Sequence, residues 1–228
     1  MRRSGNSVDT RRRSWKMNDV EPRYEFRTFA PCLGTVAERM RQLSSCEQIE
    51  ESMEAYITSA DMHNHNVKVR NGFLDIKRLV RRCDDLEQWK PIERRRFPIS
   101  LGFATETLIP ILQAPDLVDS AGRNTYTATE LLNDCSRPQI GVFVASVFKR
   151  RFRFTVGECA AEIDELLING AAMQSVAIES EDESAVARAR TILGMNDCEN
   201  VNYLLAVQRV LGLQPLPDDA WYRFRCGP

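Results

Sequence analysis

Three short stretches of this chain place charged side chains at every second position, the spacing that puts them on one face of a β-strand. In Asn66-Val67-Lys68-Val69-Arg70-Asn71-Gly72-Phe73-Leu74-Asp75-Ile76-Lys77, the Asn-Gly pair predicts a two-residue hairpin turn. Folding there sets Lys68 opposite Asp75, Val69 opposite Leu74, Arg70 opposite Phe73 and Asn66 opposite Lys77. Lys68, Arg70, Asp75 and Lys77 then share one face, with Val67, Val69, Leu74 and Ile76 on the other. Lys149, Arg151 and Arg153 alternate in the same way within 147–154, as do Arg23, Glu25 and Arg27 near the start. Two later runs supply carboxylates: Glu162 and Asp164 share a face with Ala160, and Glu179 and Glu181 share one with Ser175 and Ala177. Guanidinium and ammonium groups donate to phosphate oxygens. Carboxylates bind Mg²⁺ or Mn²⁺, which bridge to the same oxygens. Such a set could hold a polyphosphate if its charged faces look inward, although a charged strand face is ordinarily the solvated one.

The elements that must position these groups can be read along the chain. Strands are predicted over 23–29, 51–59, both arms of a 66–80 hairpin, 86–97, 142–155, 159–168 and 172–180. Pro91 marks an edge or a bulge, and Asn169-Gly170 a second hairpin turn. A helix follows the first strand, with Thr35-x-x-Glu38 as a capping box and Leu33, Val36, Met40 and Leu43 at helical spacing. Residues 98–138 read as a helical insertion, a lid over one mouth, with one helix over 103–112 ended or kinked at Pro110. A second begins at the Thr127-x-x-Glu130 capping box and is closed by Pro138. The chain ends in helices, 183–193 stopped by Gly194 and an amphipathic 201–211 stopped by Gly212. The fold class is α+β: an eight-stranded antiparallel barrel with peripheral helices covering the apolar faces, including Phe148, Phe152 and Phe154. Eight strands enclose room for one small ligand.

Composition bounds the alternatives. At 228 residues, 43% hydrophobic and 28% charged, the chain suits one substantial soluble domain, placed at 21–228. Residues 1–16 carry a net charge of +5, leaving −6 for the rest, so general nucleic-acid binding is unlike this chain. Residues 1–20 read as a disordered basic tail, with Met17 as an alternative start, rather than as an organellar leader. No apolar run approaches the ~20 residues of a membrane span. Seven scattered cysteines without a Cys-x-x-Cys pair suit a reduced, cytoplasmic setting. A homodimer is compatible with the sequence.

In order and parity, these strands resemble the CYTH, or triphosphate tunnel metalloenzyme, superfamily. Arg23-Tyr24-Glu25-Phe26-Arg27 stands where the family carries Glu-x-Glu-x-Lys. Lys68-Val69-Arg70 with Lys77 is similar to its basic hairpin, and Lys149-Arg150-Arg151 to its mid-chain Lys-x-Arg strand. Glu162-Ile163-Asp164 and Ala177-Ile178-Glu179 are similar to its late acidic strands. The resemblance implies a metal-dependent phosphohydrolase acting on a triphosphate or short polyphosphate, with Mg²⁺ or Mn²⁺ as cofactor. It implies metal ligation by Glu25, Glu162, Asp164 and Glu179, with Glu25 and Glu179 catalytic. Phosphate binding would fall to Arg27, Lys68, Arg70, Lys77, Lys149 and Arg151. Arg23 and Ala177 stand where the family has carboxylates, which makes a non-catalytic nucleotide- or polyphosphate-binding module the alternative. Adenylate cyclase is a third reading.

Other features weigh less. Asp61, His63 and His65 sit in a polar turn and read as a solvated loop. No nucleophile elbow, phosphate-binding P-loop or dinucleotide fingerprint occurs. Glu181, Asp182 and Glu183 read as the acidic start of a helix, Trp89 as core, and Arg94 and Arg96 equally as lining or as surface.

Overall fold

The computed structural model describes residues 21–118 and 122–216. The basic tail read at 1–20 and Cys226 lie outside the described residues. Five strands come first: β1 (Arg23–Ala30), β2 (Gln48–Thr58), β3 (His65–Arg70), β4 (Phe73–Cys83) and β5 (Leu86–Arg96). Two-residue strands β6 (Ile99–Ser100) and β7 (Thr125–Tyr126) pair with each other. The last three are β8 (Phe143–Val156), β9 (Cys159–Ile168) and β10 (Ala171–Ser180). All but β6 and β7 close into an antiparallel barrel in the order β1-β10-β9-β8-β2-β3-β4-β5.

The turns fix the register. Asn71 (φ 51°) and Gly72 (φ 75°) both adopt the left-handed conformation that a tight two-residue hairpin needs. The pairing follows the sequence reading, Lys68 with Asp75 and Arg70 with Phe73. Asn169 (φ 47°) and Gly170 (φ 86°) join β9 to β10 in the same way. Pro91 marks a bulge: β4 pairs Ile76 with Glu93 but Lys77 with Pro91, so Ile92 drops out of the ladder.

Helices cover the apolar outer faces. Helices Gly34–Leu43 and Glu183–Leu193 lay Val36, Met40, Val186 and Leu193 over Phe26, Ile163, Val176 and Ile178. The expected capping box at Thr35 does not form: the helix starts two residues earlier, with Leu33 at its N-cap, so Thr35 falls inside the first turn. Asp182 caps the second helix, its Oδ1 accepting from Ser184 N at 2.9 Å, and Gly194 ends it in the left-handed conformation. The 98–138 insertion is a wall cover rather than a lid: Leu108, Leu112, Leu117 and Leu131 pack with Val67, Val69, Leu74 and Ile76. Its Thr127 capping box forms in both directions. Pro110 does not end the first insertion helix. Without an N–H it cannot serve the Glu106 carbonyl, and a wider π-turn spans Ala104–Leu108 before the helix stops at Gln113. Phe148 stays only half-buried, between exposed Met53 and Leu167, and joins none of the helix-covered apolar clusters among the described residues.

The last helix, Tyr203–Val210, fills one end of the barrel. Tyr203 and Val207 pack on the inward side chains Tyr56, Ala145, Val147, Leu166 and Ile168. Gln208 Nε2 donates to Thr58 Oγ1 at 3.1 Å and to the carbonyls of Ser59 and Met62 at 2.8 and 2.7 Å. Among the described residues, no helix is long and apolar enough to cross a membrane. Leu74 is fully buried where barrel and insertion meet. Leu74→Ala should therefore cost about 3 kcal/mol of stability, read as a lowered denaturation midpoint with near-native secondary structure.

Candidate functional site

The period-two alternation turns most of the charged set inward, and closure of the barrel gathers Glu25, Arg27, Lys68, Arg70, Asp75, Lys77, Lys149 and Arg151 around a cavity of about 310 Å³, with Glu162 and Asp164 against Arg27. Its lining includes seven cations and three carboxylates. Two adjoining clefts lead from it toward the rim, and Arg151 borders all three spaces.

One wall is cationic and organised by a single acid. Glu54 of β2 has no exposed side-chain surface. Its carboxylate accepts from Lys68 Nζ at 3.0 Å and Arg70 Nη1 at 3.3 Å, with Lys149 Nζ at 3.5 Å. Arg70 and Arg94 each reach Asp75 at 3.5 Å, and Lys77 lines the same cavity. Three cations, Lys149 buried and Lys68 and Arg70 partly so, thus share one buried carboxylate.

The opposite wall is acidic and laced with arginine. Arg27 is 7% exposed and uses its whole guanidinium: Nε donates to Glu25 Oε1 at 2.7 Å, Nη1 to Asp164 Oδ2 at 3.2 Å and to Ser175 Oγ at 3.0 Å, and Nη2 to Glu162. Arg151 Nε donates to Asp164 Oδ1 at 3.0 Å and forms an ion pair with Glu162 Oε2 at 2.9 Å. Tyr203 Oη donates to the second oxygen of Asp164. Its ring stacks on Tyr56 at 5.7 Å, with Lys149 Nζ 3.9 Å and the Arg27 guanidinium 4.6 Å from its centroid.

Burial and neighbouring charge set the protonation states. Burial, reinforced by nearby Lys149, pulls the Lys68 ammonium down to about 7. Burial brings Lys149 down to about 8, although Asp164 and Glu54 oppose it. Burial works against ionisation of Glu54, but Lys149 and Lys68 outweigh it and hold the carboxyl well below its usual range. Glu25 is likewise lowered, burial being overcome by Arg27 and Lys77, and Glu162 by Arg27 and Arg151. Burial and the adjacent carboxylates, Asp164 and Glu54 respectively, keep the Tyr203 and Tyr56 phenols neutral.

The sequence-predicted residues therefore separate into groups. Glu25, Arg27, Arg151, Glu162 and Asp164 meet on the acidic wall, and Lys68, Arg70, Lys77 and Lys149 lie on or beside the cationic one. Glu179 stands apart at the rim, paired with Arg23 at 3.1 Å, both side chains part-exposed. Among the described residues, no group of three His, Cys, Asp or Glu side chains is arranged to hold a metal ion. Both oxygens of Glu162 and of Asp164 are taken by protein donors. As they stand, these carboxylates do not fit Mg²⁺ or Mn²⁺. Arg94 lines the cavity, whereas Arg95 turns outward over Phe103. Trp89 is buried, as expected of core, yet borders the cavity and donates to Glu87 at 2.9 Å.

Sequence reasoning passed over Glu54, Tyr56, Asn202 and Tyr203. The parity of Glu50, Ser52, Glu54 and Tyr56 was available for the first two. No local signal marks Tyr203, which arrives from a helix distant in sequence.

No family model matches the sequence, and no curated protein matches it. Solved structures do. A Pyrococcus horikoshii protein is 14% identical and aligns over 80% of this chain and 97% of its own, with a TM-score of 0.47. A Pyrococcus furiosus protein is 12% identical over 80% and 98%, TM-score 0.45. A Hippeastrum protein, described as having a dominant triphosphatase activity, is 9% identical over 86% and 98%, TM-score 0.46. These likenesses concern strand layout alone.

Two lysine ammonium groups should titrate near pH 7 and 8 when followed by lysine side-chain NMR. Lys149→Met should raise the Lys68 transition. A lysine depressed from 10.5 is protonated in the unfolded chain while neutral in the fold. Its contribution therefore makes stability rise with pH between about 7 and 10.5. Transitions that all stay above pH 10 would show that these ammonium groups are hydrated.

Proposed function

We propose that the barrel is a receptor for a triphosphate-bearing small molecule or a short polyphosphate. The observation that carries this reading is the convergence of Lys68, Arg70 and Lys149 on the one buried carboxylate of Glu54. That wall holds more positive than negative charge, and a multivalent anion is the ligand that would balance it. Phosphoryl oxygens accept hydrogen bonds from all three side chains, and Lys77 and Arg94 extend the surface along the cavity. The resemblance of the charged strands to triphosphate tunnel enzymes points the same way. Hydrolysis through Mg²⁺ or Mn²⁺ would need Glu25, Glu162, Asp164 and Glu179 as ligands. Three of these are bound to guanidinium groups and the fourth is at the rim. Binding is therefore placed before turnover.

The test is calorimetric titration with tripolyphosphate and ATP, with product analysis by chromatography. Binding is expected, weakened about tenfold or more in Lys68→Ala and in Arg70→Ala, the size typical of a lost charge-assisted contact. A polyanion favours charged lysines and so raises their depressed pKa values. Binding then takes up protons above pH 7, and affinity falls as pH rises from about 7 to 9. Orthophosphate release with Mg²⁺ or Mn²⁺ would replace this reading with a hydrolase, and a cyclic nucleotide product with a cyclase. Absence of binding by either ligand would sink it.

A further inference from the structure

We infer that Arg27 is a resident counter-cation: it permanently occupies the position a divalent ion would take among Glu25, Glu162 and Asp164, so the barrel takes its polyanion in the metal-free form. The inference rests on the polyanion reading above, and concerns which chemical form of that ligand is bound.

The geometry of one guanidinium carries it. Arg27 touches three carboxylates from two strands, Glu25 of β1 and both Glu162 and Asp164 of β9. Its Nε, Nη1 and Nη2 each point to a different acid, and Ser175 takes a further hydrogen. The neighbouring position on β10, opposite Arg27 in the ladder, is Ala177, whose methyl adds no fourth acid and crowds nothing. Glu162 pairs with Ala177 on the other side, so in this row of the ladder Arg27 reaches across Ala177 to Glu162. A divalent ion would have to expel a 7%-exposed guanidinium from all three acids and leave that charge buried without partners, an unfavourable exchange. At the rim, exposed Arg23 pairs with Glu179 at 3.1 Å.

The consequence is for ligand selection. A bound Mg²⁺ removes two negative charges from a triphosphate and occupies oxygens that Lys68, Arg70 and Lys149 would otherwise contact. With both oxygens of Glu162 and of Asp164 facing arginine, these acids are not free to grip the metal of a magnesium–triphosphate complex. The free anion should bind better than the complex.

Two measurements on the full chain decide this. Titration with tripolyphosphate in EDTA should give binding at least tenfold tighter than in 5 mM Mg²⁺, on the order expected from the loss of one or two charge contacts. Binding that appears only with Mg²⁺, or strengthens with it, overturns the inference. The second measurement uses Mn²⁺ alone, followed by the loss of its free-ion magnetic resonance signal. Wild type should bind Mn²⁺ at least tenfold more weakly than Arg27→Gln, in which Glu25, Glu162 and Asp164 lose their counter-cation. Equal or tighter Mn²⁺ binding by wild type overturns the inference, whether or not tripolyphosphate binds. If tripolyphosphate binds in neither buffer, the polyanion reading falls, and the Mn²⁺ comparison alone then decides whether Arg27 stands in for a metal. Should Arg27→Gln fail to fold, the EDTA and Mg²⁺ comparison on wild type still decides.

Discussion

Asp164 has no side-chain contact with water, and the organisation of the barrel follows from compensating its charge. An unpaired buried carboxylate costs several kcal/mol, so every oxygen must find donors. Arg27 and Arg151 supply them from two strands, and Tyr203 from the last helix. Through Arg27 the same acid fixes Glu25 and Glu162, and through Tyr203 it anchors the helix that fills the barrel floor. The seam between β1 and β5, where the ladder spans only Arg23–Glu25, is completed from the same region. Arg27 N donates to Asn200 Oδ1 at 2.9 Å, and Val201 N donates to the Arg27 carbonyl at 2.6 Å.

The interior is thus divided. On one side the acids are outnumbered by cations around Glu54; on the other, cations are outnumbered by acids around Arg27. Tyr203 lies at the boundary, with Lys149 and Arg27 both against its ring. The division gives the cavity a direction: one wall carries an excess of positive charge, and the acids of the other are already paired with arginine.

Much of this was legible in the sequence where the signal is local. Asn71-Gly72 fixed the pairing of Lys68 with Asp75, and parity alone placed Glu25, Lys149, Arg151, Glu162 and Asp164 together. Pro91 announced its bulge, and Thr127 its cap. What was not legible depends on contacts between distant segments. Glu54 sits in a run, Glu50-Glu51-Ser52-Met53-Glu54, whose alternation is blurred by Glu51, and its role appears only when β3 and β8 flank β2. The inward pull of Tyr203 arises when its helix docks. The Thr35 capping motif lost to the chain path, because the helix begins where β1 delivers it. The insertion read as a lid because its sequence shows apolar periodicity without showing which face it must cover. The carboxylates read as metal ligands share one face as expected, but parity cannot say whether a metal or an arginine stands among them.

The helix filling the barrel floor also sets what shapes of molecule can be accommodated. With Tyr203 and Val207 packed across that end, a linear anion cannot pass through the strands and leave on the far side. The clefts that Arg23 and Glu179, and Glu50 and Arg70, border open away from that helix, so a chain would enter and withdraw on one side. On the polyanion reading proposed above, the barrel would be a socket for chain ends, open to a terminal phosphate and closed to an internal one.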